Sequence, residues 1–391
     1  MKPLSGLELR IEGSGGALGV AVDLLSRLGV EGQNRHGPAG GLDGGPEPDT
    51  GLPAGTMEAA AGILLATAAI EAVLDGDDVA VSRRAAADHV RRPLLTDGPD
   101  AVRPNPPVPI GAGAVNCDLG PDGDEEAFAR LVAAIGPDAG DPELVSARAQ
   151  EWRLAVTPYR TVVDSTPSPV CFSRTAGSPS AGRRPHSAHP SCGIRVVDMS
   201  AMWAGPLATG LLAARGQVTK IEPECRLDGL RTGAPGLAGT LNHAKRVAPL
   251  DLRSPGDRVA FEDLVAGADL VVDSFSRRVM PNLGLTSVEL RRIRPDLMTM
   301  SVPAFGRLTP EQDWIAYGSG VHALSGLGYS PEGPWAPDVS YPDPLAGLTA
   351  HAVALAMWLG RSRGWQPRHA EVSLHGALRP LVDVQRCQAT R

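Results

Sequence analysis

The chain has few aromatic residues and no dense basic segment. Phe, Trp and Tyr make up 4% of its 391 residues, and the formal net charge is −7. A surface that binds nucleic acid needs clustered Lys and Arg, so this composition argues against a nucleic acid as the main partner. A local basic site for one phosphorylated small molecule remains compatible with it.

Cysteines are also few, and none of them are paired in sequence. Five cysteines without a Cys-x-x-Cys pair argue against a disulfide framework or a zinc knuckle, and they favour a reducing compartment. The nine histidines show no metal-ligand spacing, so we expect no metal site. The cysteines are Cys117, Cys171, Cys192, Cys225 and Cys387.

Long apolar segments are missing as well. The longest run, 59–74, contains Glu71 and is too short to span a bilayer. The first six residues carry no apolar signal core. We therefore expect a cytoplasmic protein that does not bind membranes. The P-loop, His-Glu-x-x-His and Gly-x-Ser-x-Gly motifs are absent too.

Apolar periodicity in the C-terminal half predicts strands that alternate with helices. This alternation predicts an α/β fold with a Rossmann-like, doubly wound and mainly parallel sheet. We expect strands at 194–198, 217–222, 247–251, 269–273, 297–301 and 370–373. We expect helices at 206–215, 255–266, 286–293 and 344–359.

The N-terminal part repeats this order in a shortened form. Ala61-Gly-Ile-Leu64 resembles Ala346-Gly-Leu-Thr349 in the C-terminal half. We interpret this as a diverged internal duplication, although two Ala-rich helix–strand units can also resemble each other by chance. The expected elements of the first copy are strands at 7–11 and 79–81 and helices at 17–28 and 57–74.

Two features of the first copy are weak functional signals. Gly13-Ser-Gly-x-x-x-Gly19 follows a predicted strand, but it does not fit the dinucleotide-binding spacing. We interpret it as a degenerate form of the later turn at 200–206. When Ala61–Leu64 is aligned with Ala346–Thr349, Glu58 takes the position of Asp343. Glu58 could be a vestigial second nucleophile, but a glutamate that stabilises a helix start is the simpler interpretation.

Four regions follow from these patterns. Residues 1–98 form the shortened Rossmann-like copy, and 99–165 form a small α/β domain with a strand at 115–119 and helices at 124–135 and 142–155. Residues 166–192, rich in Ser, Pro, Arg and His, are typical of a flexible linker. Residues 193–391 form the large domain.

The pair Asp343-Pro344 precedes an apolar helical run. Asp before Pro at this place predicts a helix N-cap with proline at the first helical position. A carboxylate at a cap faces free backbone N–H groups and the positive helix end, and both keep it anionic. An anionic carboxylate is also what a carboxylate nucleophile requires. Taken alone, the pair indicates a structural cap.

An ordered series of segments around this pair resembles the family III CoA-transferases, also called the CaiB/BaiF family. The segments are Ile194–Pro206, Leu241–Arg246, Leu250–Arg253, Ala268–Phe275, Asn282–Leu285 and Tyr341–Ala350. The resemblance implies that Asp343 attacks an acyl-CoA thioester and passes CoA to a carboxylic acid through anhydride and aspartyl-CoA intermediates. It implies CoA as a substrate, no permanently bound cofactor, and a homodimer.

The resemblance also implies contacts to CoA. The turn residues Ala201, Met202, Trp203 and Ala204 would contact CoA near the thioester, where free N–H groups suit an oxyanion or a phosphate. An ordinary strand-to-helix turn is the structural alternative.

Four cations are candidates for the CoA phosphates: Lys245, Arg246, Arg277 and Arg278. Exposed surface cations are the alternative for each. The segment Ser274–Arg278 departs from the usual family pattern Asn-Phe-Arg-Pro-Gly, and Asn282 replaces a family arginine. The phosphate contacts must therefore be redistributed or weaker.

Two other functions remain open. An α-methylacyl-CoA racemase-like enzyme needs two bases, and Tyr317 occupies the position where such enzymes carry a histidine. His322 lies nearby, but a packed histidine is the simpler interpretation. A non-catalytic acyl-CoA-binding partner subunit is the second alternative, suggested by the shortened first copy and the altered arginines.

Overall fold

The computed structural model describes residues 16–28, 56–75, 104–120, 123–161, 167–173, 193–363 and 368–389. Within these ranges, none of the helices is both long enough and apolar enough to cross a bilayer. The strands are β1 (Val108–Ile110), β2 (Gly113–Cys117), β3 (Val156–Pro158), β4 (Cys171–Ser173), β5 (Ile194–Asp198), β6 (Gly216–Ile221), β7 (Arg246–Ala248), β8 (Leu270–Asp273), β9 (Met298–Ser301), β10 (Tyr329–Ser330), β11 (Gly333–Pro334) and β12 (His369–Glu371).

The helices connect and cover these strands. In chain order they are α1 (Gly16–Leu28), α2 (Thr56–Asp75), α3 (Asp124–Ile135), α4 (Pro142–Glu151), α5 (Ala204–Leu212), α6 (Leu230–Gly233), α7 (Pro235–Asn242), α8 (Pro255–Gly267), α9 (Val279–Asn282), α10 (Ser287–Ile293), α11 (Gly318–Leu324), α12 (Pro342–Ser362), α13 (Leu374–Ala377) and α14 (Arg379–Ala389).

A seven-stranded sheet lies at the centre of the fold, in the order β4-β12-β9-β8-β5-β6-β7. Its strands are parallel except for β4, which pairs antiparallel with β12. Parallel strands joined by helices place hydrophobic cores on both faces of a sheet. The α/β class and the mainly parallel sheet predicted from the sequence are confirmed.

The alternation of side chains along the strands fills two cores. On β5, Val196 belongs to the core with α1, α2, α5 and α12, and Val197 belongs to the core with α8 and α10. Successive strand residues point to opposite faces, so both valines are buried. The helix α12 is buried on all sides from Pro342 to Gly360, which makes it the central helix of the larger core.

A smaller antiparallel sheet, β1-β2-β3, packs with α3 and α4 around a core of its own. We call residues 104–161 of this part the small unit. Its helix α3 corresponds to the helix predicted at 124–135. The helix α4 ends at Glu151, earlier than the predicted end at 155, because Leu154 and Ala155 already lead into β3.

The N-terminal helices belong to the larger core. α1 and α2 correspond to the helices predicted at 17–28 and 57–74, and α2 contacts α12. The strands predicted at 7–11 and 79–81, the Gly13-Ser-Gly loop and the side chain of Glu58 lie outside the described residues. The internal duplication therefore stays a prediction.

One short strand lies in the segment predicted to be a linker. Cys171–Ser173 forms β4 and pairs with His369–Glu371. These three residues therefore belong to the sheet, and the linker prediction is wrong for them. A three-residue strand is too short to leave a periodic pattern in the sequence.

Candidate active site

The chain reverses direction across the sheet between β5 and β8. From β5 it continues to β6 and β7 on one side, whereas β8, β9 and β12 follow on the other. Ligands of open α/β sheets commonly bind at the carboxyl ends of strands at such a switch point. Here the loops after β5 and β8 meet, because the N–H of Ala201 donates to Ser274 Oγ at 2.9 Å.

The turn after β5 has few free backbone donors. The N–H of Met202 donates to both carboxylate oxygens of Asp228 at 3.1 Å, and the N–H of Ser200 donates to Asp198 Oδ1 at 2.9 Å. The expectation of free N–H groups is therefore wrong for Ser200, Ala201 and Met202. Short polar side chains accept these bonds and hold the turn.

Met202 has an unusual backbone conformation. Its φ of 66° lies in the left-handed region, which is uncommon for a residue other than glycine. Asp228 binds the Met202 N–H and lies 3.4 Å from Lys220 Nζ, which itself donates to the carbonyl oxygen of Ser200 at 2.7 Å. This buried network stabilises the strained turn, as is frequent at functional sites.

Trp203 faces the interior. Its side chain is buried in the larger core, and its indole nitrogen has no acceptor among the described residues. Met202, the preceding residue, is only partly buried. Within this turn, Met202 is therefore better placed than Trp203 to contact a bound molecule with its side chain.

The candidate nucleophile Asp343 lies in the first turn of α12. The helix begins at Pro342 and its N-cap is Tyr341, so the prediction that Asp343 itself caps the helix is wrong. Proline has no N–H to lose in a first helical turn, which allows the helix to begin before Asp343. One turn further on, a Cβ at Gly347 would lie 2.7 Å from the carbonyl oxygen of Ala204. Residues four apart share a helix face, so Asp343 and the 200–204 turn lie on the same side.

The Asp343 carboxylate is enclosed by two neighbours. Ser340 Oγ donates to Asp343 Oδ2 at 2.7 Å, and the backbone of Gly318 lies against the same carboxylate. A Cβ at position 318 would lie 2.0 Å from Asp343 Oδ2. Only glycine allows this approach of backbone to carboxylate.

Burial controls the protonation of this group. It raises the pKa of Asp343 from 3.8 to about 6, against the lowering effect of its hydrogen bonds. The sequence predicted an anionic carboxylate at the helix end, and a pKa of about 6 agrees with an anion at neutral pH, although burial has a larger effect on it than the helix end. At neutral pH the group is still mainly ionised, and it is more basic than an exposed aspartate.

A second carboxylate binds the same short segment. Ser319 Oγ lies 2.7 and 2.6 Å from the two carboxylate oxygens of Asp118, and Asn116 Nδ2 donates to Asp118 at 2.8 Å. The backbone of Gly320 lies near Asp118 as well and lowers its pKa, against the larger raising effect of burial. Asp118 was not among the site residues predicted from the sequence, although its acidic side chain within the strand predicted at 115–119 and the Gly-Ser-Gly run at 318–320 were visible signals.

The small unit holds the chain that leads to this segment. The side-chain amide of Gln150 pairs with both backbone groups of Ile315, at 2.6 and 2.8 Å. The Arg160 guanidinium donates to Glu311 Oε1 at 2.8 Å, and the Arg160 backbone N–H donates to the carbonyl oxygen of Ala323 at 3.1 Å. Polar contacts therefore fix residues 311–323 on both sides of Gly318.

Lys245 lies in the interior, which corrects its predicted role. Its Nζ bonds with Asp198 Oδ2 at 2.9 Å and with Pro206 O and Thr209 Oγ1, both at 2.8 Å. An ammonium group has three donors, so these partners saturate it. The structure does not support Lys245 as a phosphate ligand. Arg246 is exposed on β7, at the edge of the sheet.

Arg277 and Arg278 are exposed in the loop after β8. Arg277 bonds with Gln312 Oε1. Arg153 of the small unit joins them, because its Nη2 donates to Ser276 Oγ at 2.9 Å. Burial and the nearby Arg278 lower the pKa of Arg153. We call Arg153, Arg277 and Arg278 the arginine cluster. Arg153 lies in no sequence motif and was not among the predicted site residues.

A small cleft opens beside Arg277, at the carboxyl ends of β8, β9 and β12. Ser301 Oγ donates to Asp273 Oδ2 at 2.7 Å inside it. Burial, with a smaller effect of the negative charge of Glu371, raises the pKa of Asp273 to about 6, against the lowering effect of its hydrogen bonds. The cleft offers a polar, partly buried surface next to the arginine cluster.

His322 is packed and fully hydrogen-bonded. Its Nδ1 lies 2.8 Å from Tyr341 Oη and its Nε2 lies 3.1 Å from the carbonyl oxygen of Trp335. Burial lowers the pKa of His322 to about 4, so the ring is neutral at physiological pH. Both ring nitrogens are occupied, as expected for a structural histidine.

The sequence profile of CoA-transferase family III matches residues 192–391. The chain belongs to this family, and the resemblance found in the motifs is confirmed. The match includes the 200–204 turn, the arginines after β8 and Asp343, whereas the small unit and the N-terminal helices precede it.

Several characterised relatives are similar over this part. Acetyl-CoA:oxalate CoA-transferase of Acetobacter aceti is 30% identical over 197 residues, which is 47% of this chain and 51% of the relative. Succinyl-CoA–D-citramalate CoA-transferase of Chloroflexus aurantiacus is 28% identical over 202 residues, 49% of this chain and 50% of the relative. The chain spans about half the length of these curated relatives.

A solved structure is also similar. The crystal structure of a CaiB/BaiF family protein from Brucella suis is 24% identical, with a TM-score of 0.45, and the match covers 51% of this chain and 56% of that chain.

Proposed function

We propose that this protein is a CoA-transferase that moves CoA from an acyl-CoA thioester to a carboxylic acid, with Asp343 as the nucleophile. The observation that carries the proposal is the Asp343 carboxylate, which is buried in the first turn of α12 and enclosed by Ser340 and Gly318. Family membership supports the same reaction class.

The proposed reaction begins with attack of an Asp343 carboxylate oxygen on the thioester carbonyl carbon. The carbon–sulfur bond breaks, which gives a mixed anhydride and CoA thiolate. The thiolate then attacks the aspartyl carbonyl carbon, releases the first carboxylate, and forms an aspartyl-CoA thioester. Each of these displacements is easier than direct exchange between acid and thioester.

The second half runs through the same kinds of intermediate. The acceptor carboxylate attacks the aspartyl-CoA carbonyl, releases the thiolate and forms a new anhydride. The thiolate attacks the acceptor's acyl carbon, which gives the new acyl-CoA and the free Asp343 carboxylate. No proton is gained or lost overall. Because both anhydrides would react with water, the 8% exposure of Asp343 is consistent with this chemistry.

The arginine cluster is the proposed site for the CoA phosphates. Arg277 and Arg278 follow β8 at the switch point, where the loop also contacts the turn after β5. Guanidinium groups suit phosphate oxygens. Replacing Arg278 with Ala should raise the KM for acyl-CoA several-fold and leave the KM for an acyl-pantetheine substrate unchanged. An equal effect on both substrates would argue against a phosphate contact.

The test of the function is a transfer assay with mass detection of new thioesters. Acetyl-CoA and succinyl-CoA as donors, with oxalate, glutarate and D-citramalate as acceptors, form a first panel chosen from the names of the relatives. Wild-type protein should form a new thioester, and Asp343→Asn should reduce the rate at least about 100-fold, as expected for loss of a nucleophile. The exposed Asp338→Asn is the matched control. Full activity of Asp343→Asn would contradict the proposal.

Two alternatives give different results in the same assays. A racemase-like enzyme would exchange the α-hydrogen of a 2-methylacyl-CoA with deuterated water without moving CoA. The hydrogen bonds at both nitrogens of His322 argue against its use as a second base. A binding subunit would retain acyl-CoA without turnover. The homodimer expected from the resemblance is part of this proposal and is tested by sedimentation.

A further inference from the structure

Two carboxylates from distant parts of the chain bind one short backbone segment. The backbone of Gly318 lies against Asp343 on α12, where a Cβ would be only 2.0 Å from Oδ2, and the backbone of Gly320 lies near Asp118 of the small unit. Ser319, between them, bonds to Asp118 with its hydroxyl group. Gly318 and Ser319 are adjacent, so their contacts with Asp343 and Asp118 bring the two acidic groups close together.

Close packing makes this arrangement rigid. A Cβ at Gly320 would lie 2.8 Å from Thr157 Oγ1 on β3, and a Cβ at Gly318 would lie 2.0 Å from Asp343 Oδ2. The segment is therefore held between the small unit on one side and α12 on the other. Asp118 has no means of moving away from Asp343 without breaking its bonds to Ser319 and Asn116.

We propose that Asp118 is a positioning residue for the reaction of Asp343: it fixes the Gly318–Gly320 segment against the nucleophile, and its negative charge makes the Asp343 carboxylate more reactive. This inference rests on the proposed function of Asp343. It assigns to the small unit a direct part in the chemistry of the large domain.

The physical reason is electrostatic repulsion between the carboxylates of Asp118 and Asp343, which decreases when Asp343 loses its charge in the reaction. With Asp118 ionised, the charge on Asp343 is held beside a like charge in a partly buried site, where such interactions are strong. Attack on a thioester moves the charge of Asp343 to the carbonyl oxygen and then to the leaving sulfur. The anhydride is neutral at Asp343, so its formation is favoured by the presence of Asp118.

The pKa shifts of the two carboxyl groups agree with this repulsion. Burial raises the pKa of both carboxyls, and Asp118 raises the pKa of Asp343 further. The two groups titrate as a pair, and the second proton is lost against the charge left by the first. Removing the charge of Asp118 should therefore lower the pH at which Asp343 ionises.

The thiol, phenol and imidazole groups near the two carboxyl groups do not change charge around pH 6. Burial keeps the thiol and the phenols protonated and keeps the imidazole neutral. Asp124, Asp228 and Arg226 act on Tyr317 from further along the site. The uncharged groups are Cys117, Tyr159, Tyr317, His322 and Tyr341.

The test compares wild type with Asp118→Asn, which keeps the shape and removes the charge. The rate of CoA transfer falls as pH drops through the pKa of Asp343, and this acid limb should move to lower pH by up to about one unit in the variant. The kcat should fall several-fold, and the KM for the acceptor acid should stay equal or decrease. A purely structural role would instead raise KM and leave the acid limb in place.

The control and a second readout keep the outcomes separate. Asp138→Asn removes one exposed charge from the same unit and should leave the acid limb unchanged.

A 13C NMR titration of labelled aspartates, with the Asp343 signal assigned by its loss in Asp343→Asn, reports the pKa of Asp343 without turnover. If wild type never transfers CoA, the proposed function fails, but this titration still tests Asp118. An Asp343 pKa equal in wild type and Asp118→Asn would overturn the inference. If Asp118→Asn does not fold, the uncharged Asp118→Ser is titrated instead.

Discussion

The reactivity of Asp343 depends on its surroundings more than on its place in a helix. A carboxylate in a first helical turn usually gains from the positive helix end. Here burial away from water has the larger effect, and it raises the pKa of Asp343 to about 6. Such a group is ionised at neutral pH and more basic than an exposed aspartate, which suits nucleophilic attack.

Replacing Asp343 with Asn should stabilise the protein at alkaline pH. Because folding raises the pKa of Asp343 from 3.8 to about 6, its folded-state stability is highest below pH 4 and is lost as pH rises through 6. Asn carries no such penalty, so the variant should be more stable by about 1–3 kcal/mol at pH 8. Urea unfolding at pH 8 and pH 5 checks this. A gap that does not shrink at pH 5 would contradict the explanation.

Gly318→Ala should damage both the site and the fold. The added methyl group would lie 2.0 Å from Asp343 Oδ2 and 2.2 Å from Ser340 Oγ. We expect loss of transfer activity and destabilisation of about 1–3 kcal/mol, as for other overpacked sites. Gly239→Ala on α7, where a Cβ meets no atom within 4 Å, is the control and should be neutral or slightly stabilising. Activity assays and thermal unfolding of both variants decide the point.

At this scale the sequence identified Asp343 but not its partners. A pattern around one residue can be recognised locally, and Asp343 has such a pattern. Asp118 is distant in sequence and becomes a neighbour only after the small unit has docked. Lys245 was misassigned because its partner Asp198 lies 47 residues away, and a lysine beside a loop is normally exposed.

Among the elements, the strand–turn–helix unit of β5 and α5 depends on a buried ion pair. Lys245 bonds to Asp198, at the end of β5, and to Pro206 and Thr209 in α5. The pair therefore ties the turn that carries Met202 to the helix after it. Such contacts hold Met202 in its left-handed backbone conformation.

Lys245→Ala should therefore destabilise the fold, and Arg246→Ala should not. Removing one partner of a buried pair leaves an uncompensated charge and costs about 3–5 kcal/mol. Arg246 is exposed, so its replacement should change the free energy of unfolding by less than about 0.5 kcal/mol. Denaturant unfolding of the two variants is the measurement. Equal stabilities, with a weaker CoA affinity for Lys245→Ala, would restore the phosphate role.

Periodicity was sufficient for most of the parallel sheet and its helices. β5, β8 and β9 begin and end within a residue of their predicted bounds, because buried parallel strands are short apolar runs between loops. It failed for β4, which has three residues, and for the start of α12, where two prolines make the first turn ambiguous.

For the molecule as a whole, the N-terminal helices and the large domain share one core. Ile63 and Ile70 of α2 are buried in the same cluster as Leu345 and Leu355 of α12. The helix that carries Asp343 is thus covered on one side by residues that precede the family match. These residues are part of the environment that keeps α12 in place.

Ile70→Ala should therefore destabilise the main unfolding transition of the chain. Ile70 is fully buried, and truncation of such a side chain costs about 2–5 kcal/mol. Calorimetry of the full chain should show the large transition at a lower temperature. The exposed Val259→Ala on α8 is the control and should leave it nearly unchanged. If Ile70→Ala shifts only a separate small transition, the N-terminal helices fold independently of the large domain.

Covalent trapping on Asp343 is the most direct measurement of its role as the nucleophile. The protein is incubated with an acyl-CoA and then treated with borohydride, which reduces an aspartyl thioester or anhydride, and the peptide with Tyr341–Ala350 is analysed by mass spectrometry. Reduction of Asp343 that depends on acyl-CoA, and that is absent without it, is the predicted result. An unmodified Asp343 in protein that is actively forming new thioesters would show that CoA is transferred by another group.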